Sequence, residues 1–185
     1  MKREPIINAI ADLFEKHGTD WYMGESVTMA QHMLQSAWFA QRADATASDI
    51  AGALLHDIGH YTSGQDENCL HEGQDNYHET AGADFLSGHF PLEVTEPIRL
   101  HVAAKRYLCA TDPKYFDRLS AASVESLALQ GGPMSTQEVA VFEENPHHQA
   151  AVRLRFRDEA GKDPELTVPE LESYLPLLES LLRES

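Results

Sequence analysis

The stretch "GALLHDIGHY", residues 52–61, decides how the rest of the sequence is interpreted. Its apolar run ends in the adjacent pair His56-Asp57, and a second histidine, His60, follows one helical turn later. Buried imidazole and carboxylate groups need partners, and a metal ion is one such partner. The stretch therefore predicts either a satisfied polar helix end or a metal site, and further histidines upstream and downstream favour the metal site.

The composition sets the class of protein. The chain has 185 residues, of which 42% are hydrophobic, so we expect one domain spanning residues 1–185. Its two cysteines, Cys69 and Cys109, are too few for a disulfide framework and fit a reduced cytoplasmic protein. A net charge of −16 argues against nucleic acid and membrane surfaces as partners. We expect a monomer or weak dimer that binds a small molecule.

Apolar residues recur at helical spacing along nearly the whole chain, so the sequence predicts an all-α bundle. The predicted helices cover residues 5–16, 26–43, about 48–59, 77–88, 92–109, 120–130, 135–143, 146–158 and 169–183. Ser26 is the expected N-cap of the second helix, and Gly59 is expected to end the third. Pro97 is expected in the first turn of its helix or at a kink. The polar residues 62–76 are a predicted loop.

Imidazole and carboxylate side chains from five helical segments form a candidate metal centre. The candidate ligands are His32, His56, Asp57, His78, His101 and Asp158. Neighbouring helical residues point about 100° apart, so His56 and Asp57 do not chelate one ion as a pair. A carboxylate can instead bridge two ions, which predicts a dinuclear site suited to iron, manganese or zinc. The other histidines are assigned to the surface or to loops: His17, His71, His89, His147 and His148.

A candidate anion pocket adjoins these ligands. His60, Lys105 and Arg155 each lie one helical turn from a candidate ligand. Ser123 and Ser126 are three residues apart on another predicted helix. Two cations, an imidazole and two hydroxyls would bind a phosphate-like group, with Arg155 able to bind it bidentately.

Several stretches across residues 22–162 resemble one family. They are "YMGES", "QHMLQSAWFAQRA", "ALLHDIGHY", "HETAGADFL", "HVAAKRYL", "LSAASVESLALQGGPM", "FEENP" and "RFRDEAGK". In this order they resemble the HD-domain superfamily and, within it, the mixed-valent diiron oxygenases of organophosphonate catabolism, distant kin of myo-inositol oxygenase. The "HDIGH" motif alone is weak, whereas "HVAAKRYL" followed by "QGGPM" is far more specific.

The resemblance implies a role for each candidate. One iron would be held by His32, His56 and Asp158, the other by His78 and His101, with Asp57 bridging an Fe(II)/Fe(III) pair. His60, Lys105, Ser123, Ser126 and Arg155 match the residues that hold the phosphonate. Tyr22 and Glu25 match a mobile catalytic pair: the tyrosine can occupy an iron position until substrate arrives, and the glutamate meets the amino end of the substrate.

The implied reaction is O2-dependent cleavage of the C–P bond of (R)-1-hydroxy-2-(trimethylammonio)ethylphosphonate, giving glycine betaine and phosphate. Trp21 and Tyr77 could offer aromatic faces to the trimethylammonium group, with Glu25 as counter-charge. The first alternative is the same reaction on 2-amino-1-hydroxyethylphosphonate, giving glycine.

Two other classes remain as alternatives. An HD-type metal-dependent phosphohydrolase would use the same ligands to activate water. A non-catalytic HD module would bind a nucleotide or a partner helix. Six intact ligands argue against the module, and the match of Tyr22 and Glu25 favours the oxygenase over the hydrolase.

Overall fold

The computed structural model describes residues 4–22, 24–63 and 76–183. Within these ranges the chain is helical, and its extended backbone pairs in one isolated bridge, Trp21 with Thr28. The helices are α1 (Pro5–His17), α2 (Met29–Arg42), α3 (Ala47–Leu55), α4 (Gly59–Thr62), α5 (His78–Ser87), α6 (Leu92–Thr111), α7 (Ala121–Leu129), α8 (Thr136–Glu144), α9 (His148–Ala160) and α10 (Leu175–Ser180). The predicted all-α fold is confirmed.

Five helices form the centre of the bundle. The long helix α6 packs against α3, α5 and α9, and α2 packs against α3 and α9. Their apolar faces supply fully buried side chains such as Met33, Leu54 and Ile98. Leu154 and Leu178, from α9 and α10, belong to the same core. The polar candidate ligands lie inside this apolar shell, where water cannot solvate them.

Two helix starts differ from the predictions. The prediction of Ser26 as N-cap is wrong, because Thr28 caps α2 through a reciprocal pair of hydrogen bonds. The Thr28 hydroxyl accepts from the Gln31 N–H at 3.2 Å, and the Gln31 side chain accepts from the Thr28 N–H at 2.8 Å. The third helix begins slightly earlier than predicted, since Thr46 caps α3 by accepting from the Asp49 N–H.

Gly59 does not end a helix as predicted. Helix α3 ends at Leu55, the chain turns through residues 56–58, and Gly59 is the first residue of α4. A Cβ atom on Gly59 would lie 1.8 Å from the carbonyl oxygen of His78. Glycine is therefore required because the backbones of α4 and α5 are in close contact.

The remaining differences concern proline and the chain end. Pro97 is buried inside α6, beyond its first turn. The predicted single helix over residues 169–183 is wrong: a 3-10 turn at Leu171–Ser173 precedes the short α10, and Pro176 occupies its first turn, where a missing N–H costs nothing.

Of the predicted 62–76 loop, residues 64–75, including Cys69 and His71, lie outside the described residues. No helix in the described ranges is long and apolar enough to cross a membrane.

We expect Gly59→Ala to lower the free energy of unfolding by about 1–3 kcal/mol or more, because the added methyl group forces the backbones of α4 and α5 apart. Chemical denaturation of the metal-loaded protein measures the change. Gly88→Ala is the matched control, since a Cβ atom there meets nothing within 4 Å. Equal unfolding energies for the two variants would contradict the assigned role of Gly59.

Candidate metal centre and adjoining cavity

The six candidate ligands come together in the interior of the bundle. Helix α2 supplies His32, the turn after α3 supplies His56 and Asp57, and α5 begins with His78. The remaining two are His101 from α6 and Asp158 from α9. All six side chains are buried. His17, His89, His147 and His148 belong to neither group of this cluster, as predicted, whereas His60 lies against it, 4.0 Å from Asp57 Oδ1.

The cluster has two halves that meet at Asp57. In the first half, the Nε2 atoms of His32 and His56 are 3.1 Å apart and lie 3.5 and 3.4 Å from Asp57 Oδ2. In the second half, the Nε2 atoms of His78 and His101 are 3.0 Å apart and lie 3.4 and 3.5 Å from Asp57 Oδ1. Each carboxylate oxygen of Asp57 therefore faces a different pair of imidazoles.

The other ring nitrogen of each histidine donates to a fixed oxygen. The Nδ1–oxygen pairs are His32 to Gly161 O at 2.9 Å, His56 to Ala53 O at 2.9 Å, His101 to Ile98 O at 2.7 Å and His78 to Asn76 Oδ1 at 2.8 Å. A carbonyl oxygen only accepts, so Nδ1 of each ring carries a proton, and in the neutral, metal-binding form of the ring Nε2 presents a lone pair. Facing lone pairs about 3 Å apart need a cation between or beside them, as in metal sites with oriented imidazoles.

The carboxylates fit the same interpretation. In the described structure, Asp57 Oδ2 and Asp158 Oδ1 are buried without a hydrogen-bond partner, which is costly unless a cation binds them. Asp158 Oδ1 lies 3.4 Å from His32 Nε2 and so completes the first half. Burial alone would raise the pKa of Asp57, but the surrounding imidazoles, His56 foremost, hold it well below its usual value. Imidazole and carboxylate donors suit iron, manganese or zinc.

His32 and His101, which belong to different halves, differ in charge. Burial lowers the pKa of His101 to about 4, so that ring is neutral and ready to bind a metal. Burial also acts to lower the pKa of His32, but the nearby carboxylates of Asp158 and Asp57, 3.4 and 3.5 Å from its Nε2, outweigh it and raise the pKa to about 9. His32 must therefore release a proton when it binds a metal ion.

A cavity of about 100 Å³ opens beside His78 and His101. All seven residues predicted to bind or process substrate line it: Tyr22, Glu25, His60, Lys105, Ser123, Ser126 and Arg155. The structure thus brings together side chains from the turn before α2, from α4, from α6, from α7 and from α9.

Lys105 and Ser126 form the cationic wall of the cavity. The Lys105 ammonium is buried and donates to the Ser126 hydroxyl at 2.8 Å. Burial, aided by the nearby positive charge of Arg155, lowers the pKa of Lys105 to about 7. The Lys105 charge is therefore poorly compensated by its surroundings, and an anion in the cavity would stabilise it.

Arg155 is more firmly paired than predicted. Its guanidinium donates to the carboxylates of Asp158 and Glu159 and, at 2.9 Å, to the Tyr115 hydroxyl. One nitrogen also lies 3.4 Å from Ser123 Oγ at the cavity. Arg155 therefore orients the candidate ligand Asp158. Only one edge of its guanidinium faces the cavity, so it is not free to bind a phosphate-like group bidentately as predicted.

Asn76, which the sequence analysis missed, connects the metal centre to the adjoining cavity. Its Oδ1 accepts from both the ring and the backbone N–H of His78, which fixes the orientation of the amide. Its Nδ2 donates to His60 Nδ1 at 3.0 Å, and the His60 ring stacks on that of His78 at 4.1 Å. His60 consequently carries its proton on Nε2 and presents a donor at the cavity.

The predicted pair Tyr22 and Glu25 forms a tight turn at the cavity. The Glu25 N–H donates to the Tyr22 carbonyl at 2.9 Å, and Gly24 adopts a left-handed φ of 71°. The Tyr22 ring stacks on His32 at 4.1 Å. The Glu25 carboxylate accepts from the ammonium of Lys162 at 2.9 Å, a partner that the sequence analysis also missed.

Trp21 and Tyr77 do not line the cavity. Their side chains are 67% and 61% exposed, respectively. The aromatic enclosure suggested for a trimethylammonium group is therefore wrong for these two residues. Among the described side chains that line the cavity, Tyr22 is the aromatic one apart from the imidazoles.

Comparisons with known proteins agree with this geometry. The HD-domain family model matches residues 29–127, a range that contains every candidate ligand except Asp158. A [1-hydroxy-2-(trimethylamino)ethyl]phosphonate dioxygenase (glycine-betaine-forming) from Leisingera caerulea is 46% identical, over 98% of this chain and 93% of its own. A hydroxymethylphosphonate dioxygenase from Gimesia maris is 46% identical, over 97% of this chain and 89% of its own.

The chain belongs to the HD-domain family. Its dioxygenase relatives and its two groups of buried histidine and aspartate side chains make it a metal-dependent enzyme.

Because the pKa of Lys105 is about 7, anion binding in the cavity should weaken as the pH rises through 7. Arg155, whose pKa is raised, and Asp158, whose pKa is lowered, also act on Lys105, and both keep their charge in this range. Sulfate is a suitable probe since it stays a dianion. Calorimetry should show tighter sulfate binding at about pH 6 than at about pH 8.5, by roughly tenfold.

Lys105→Met should bind sulfate weakly at every pH, while Lys114→Met, which replaces an exposed lysine, should behave like the wild type. A pH dependence that persists in Lys105→Met would assign the titration to another group.

Proposed function

We propose that this enzyme is a diiron dioxygenase that cleaves the C–P bond of a 1-hydroxyphosphonate, with O2 as co-substrate. The proposed substrate is (R)-1-hydroxy-2-(trimethylammonio)ethylphosphonate, and the products are glycine betaine and phosphate. The observation that carries the proposal is the cavity with Lys105, His60 and two serine hydroxyls directly beside the His78–His101 half of the centre. The 46% identity to a dioxygenase of that name supports the choice of substrate.

The reaction balances without an external reductant. The C1 carbon becomes a carboxylate, its C–H and C–P bonds break, one oxygen atom of O2 enters the carboxylate, and the other enters the phosphate. All electrons that reduce O2 come from the substrate. An iron pair, when bound by the six ligands, would supply Lewis acidity and an electron reservoir for this oxidation.

The residues of the cavity account for binding and orientation. The Lys105 ammonium, the His60 Nε2–H and the hydroxyls of Ser123 and Ser126 would donate to the phosphonate oxygens. Holding that group at several points fixes which C1–H bond faces the metal centre. Arg155 would act chiefly by keeping Asp158 in place, because most of its donors are already used.

The turn that carries Tyr22 and Glu25 would close the other side of the cavity. The Tyr22 ring lies against His32, so movement of this turn would expose or cover the first half of the centre. Burial, together with the carboxylates of Asp57 and Asp158, raises the pKa of the Tyr22 hydroxyl well above its usual value. In this position the hydroxyl would stay protonated and could donate a hydrogen bond near the centre.

Hydroxymethylphosphonate is a second candidate substrate. The relative that carries this name is also 46% identical, and Trp21 and Tyr77 do not enclose the cavity. The same balance applied to this smaller substrate gives formate and phosphate. Comparison of kcat/KM for the two substrates, with 2-amino-1-hydroxyethylphosphonate as the third, measures the preference.

Phosphate release should require both iron and O2. We expect iron-loaded enzyme to release phosphate only in the presence of O2, and zinc-loaded enzyme to release none, because zinc has no accessible change of valence. The measurement is phosphate formed per O2 consumed, under air and under nitrogen. Release of phosphate by the zinc form under nitrogen would favour hydrolysis and overturn the proposal.

A further inference from the structure

Lys162 lies just after α9, and its ammonium donates hydrogen bonds to Glu25 and Ser123, two residues that line the cavity. We propose that Lys162 determines substrate specificity: by pairing with Glu25, it sets how strongly the cavity accepts a cationic group attached to a bound phosphonate. The inference rests on the proposed substrate class, and it adds a residue whose charge decides between members of that class.

The contacts of Lys162 connect the two walls of the cavity. Its Nζ donates to Glu25 Oε1 at 2.9 Å and to Ser123 Oγ at 3.0 Å, and it lies 3.8 Å from a carboxylate oxygen of Glu159. It also lies 5.8 Å from the centre of the Tyr22 ring. The side chains of Lys162 and Glu25 are each only 11% exposed, so their ion pair is poorly screened by water.

A cationic group on the substrate needs a carboxylate nearby. Among the described residues that line the cavity, Glu25 and Glu125 are the acidic ones, and Glu125 is exposed. Glu25 is thus the more enclosed of the two carboxylates, but Lys162 already neutralises it. A substrate with a trimethylammonium arm must share Glu25 with Lys162 or displace it, whereas hydroxymethylphosphonate leaves the ion pair intact.

Lys162 also acts at the anionic end of the substrate. Its contact with Ser123 places a positive charge beside a hydroxyl that faces the phosphonate pocket. At this end the charge favours any phosphonate, so the discrimination against a cationic arm comes from the pairing of Lys162 with Glu25. Removing the charge of Lys162 while keeping the length of its side chain should therefore shift the binding preference toward the phosphonate that carries the cationic arm.

The test is a binding measurement without turnover. Iron-loaded protein under nitrogen is titrated with hydroxymethylphosphonate and with 1-hydroxy-2-(trimethylammonio)ethylphosphonate, and the ratio of the two Kd values is compared among variants. Lys162→Met should shift the ratio toward the cationic substrate by about tenfold, which corresponds to about 1.4 kcal/mol. Lys162→Arg, which keeps the charge, and Lys114→Met, at an exposed lysine, should leave the ratio near that of the wild type.

A double-mutant comparison assigns the effect to Glu25. In a Glu25→Gln background, Lys162→Met should no longer change the ratio, because no carboxylate is left to be released. A loss of general packing would weaken both substrates together and leave the ratio unchanged. If Lys162→Met does not fold, Lys162→Gln keeps hydrogen-bond donors without the charge and takes its place.

A ratio within about twofold of the wild type in the uncharged variant, or a shift toward hydroxymethylphosphonate, would overturn the role of Lys162. The proposed function fails in a different way, through the absence of O2-dependent phosphate release by the wild type. Because binding is measured under nitrogen, the two failures are distinguishable.

Discussion

The Asp57 carboxylate, held away from water between two pairs of imidazole nitrogens, is the interaction on which the arrangement of the helices depends. A buried carboxylate without compensation costs several kcal/mol, and removing its partners is strongly destabilising. The compensating groups come from α2, α5 and α6 and from the residue preceding Asp57 itself. These helices must therefore converge on one point, and a metal ion on each side of Asp57 would hold them there.

The surroundings of the ligands are as specific as the ligands themselves. Three of the four imidazoles donate to backbone carbonyl oxygens, and two of those oxygens lie three residues earlier in the chain. The fourth, His78, donates to Asn76, which also fixes the proton of His60. The metal centre and the anion cavity thus share one hydrogen-bond network, so a change in either should be felt by the other.

The sequence predicts most of the helices, and the side chains that meet in the buried cluster, because both are encoded locally. His56-Asp57 stands out at the end of an apolar run, and Lys105 stands out one turn after His101. Glu159, four residues after Arg155, could also have been found by its spacing. Lys162 and Glu25 are 137 residues apart, and Tyr115 and Arg155 are 40 apart, so no local pattern predicts these contacts. Gly59 was misinterpreted for the same reason, since its neighbour in space is His78.

The cavity reconciles a strongly acidic chain with an anionic substrate. Although the net charge is −16, Lys105, Arg155 and Lys162 are gathered around one small space. Two of these cations are largely matched by carboxylates, which leaves Lys105 as the group with the least compensation. Such a site selects a small anion that fits within the cavity rather than a polyanion that needs a broad basic surface.

The most direct test of the account is anomalous diffraction from crystals of the iron-loaded protein, with data collected on both sides of the iron absorption edge. The account predicts two iron peaks, one bound to Asp57 Oδ1 beside His78 and His101, and the other bound to Asp57 Oδ2 beside His32 and His56. A single peak, or two peaks of which only one contacts Asp57, would contradict a dinuclear centre bridged by this carboxylate.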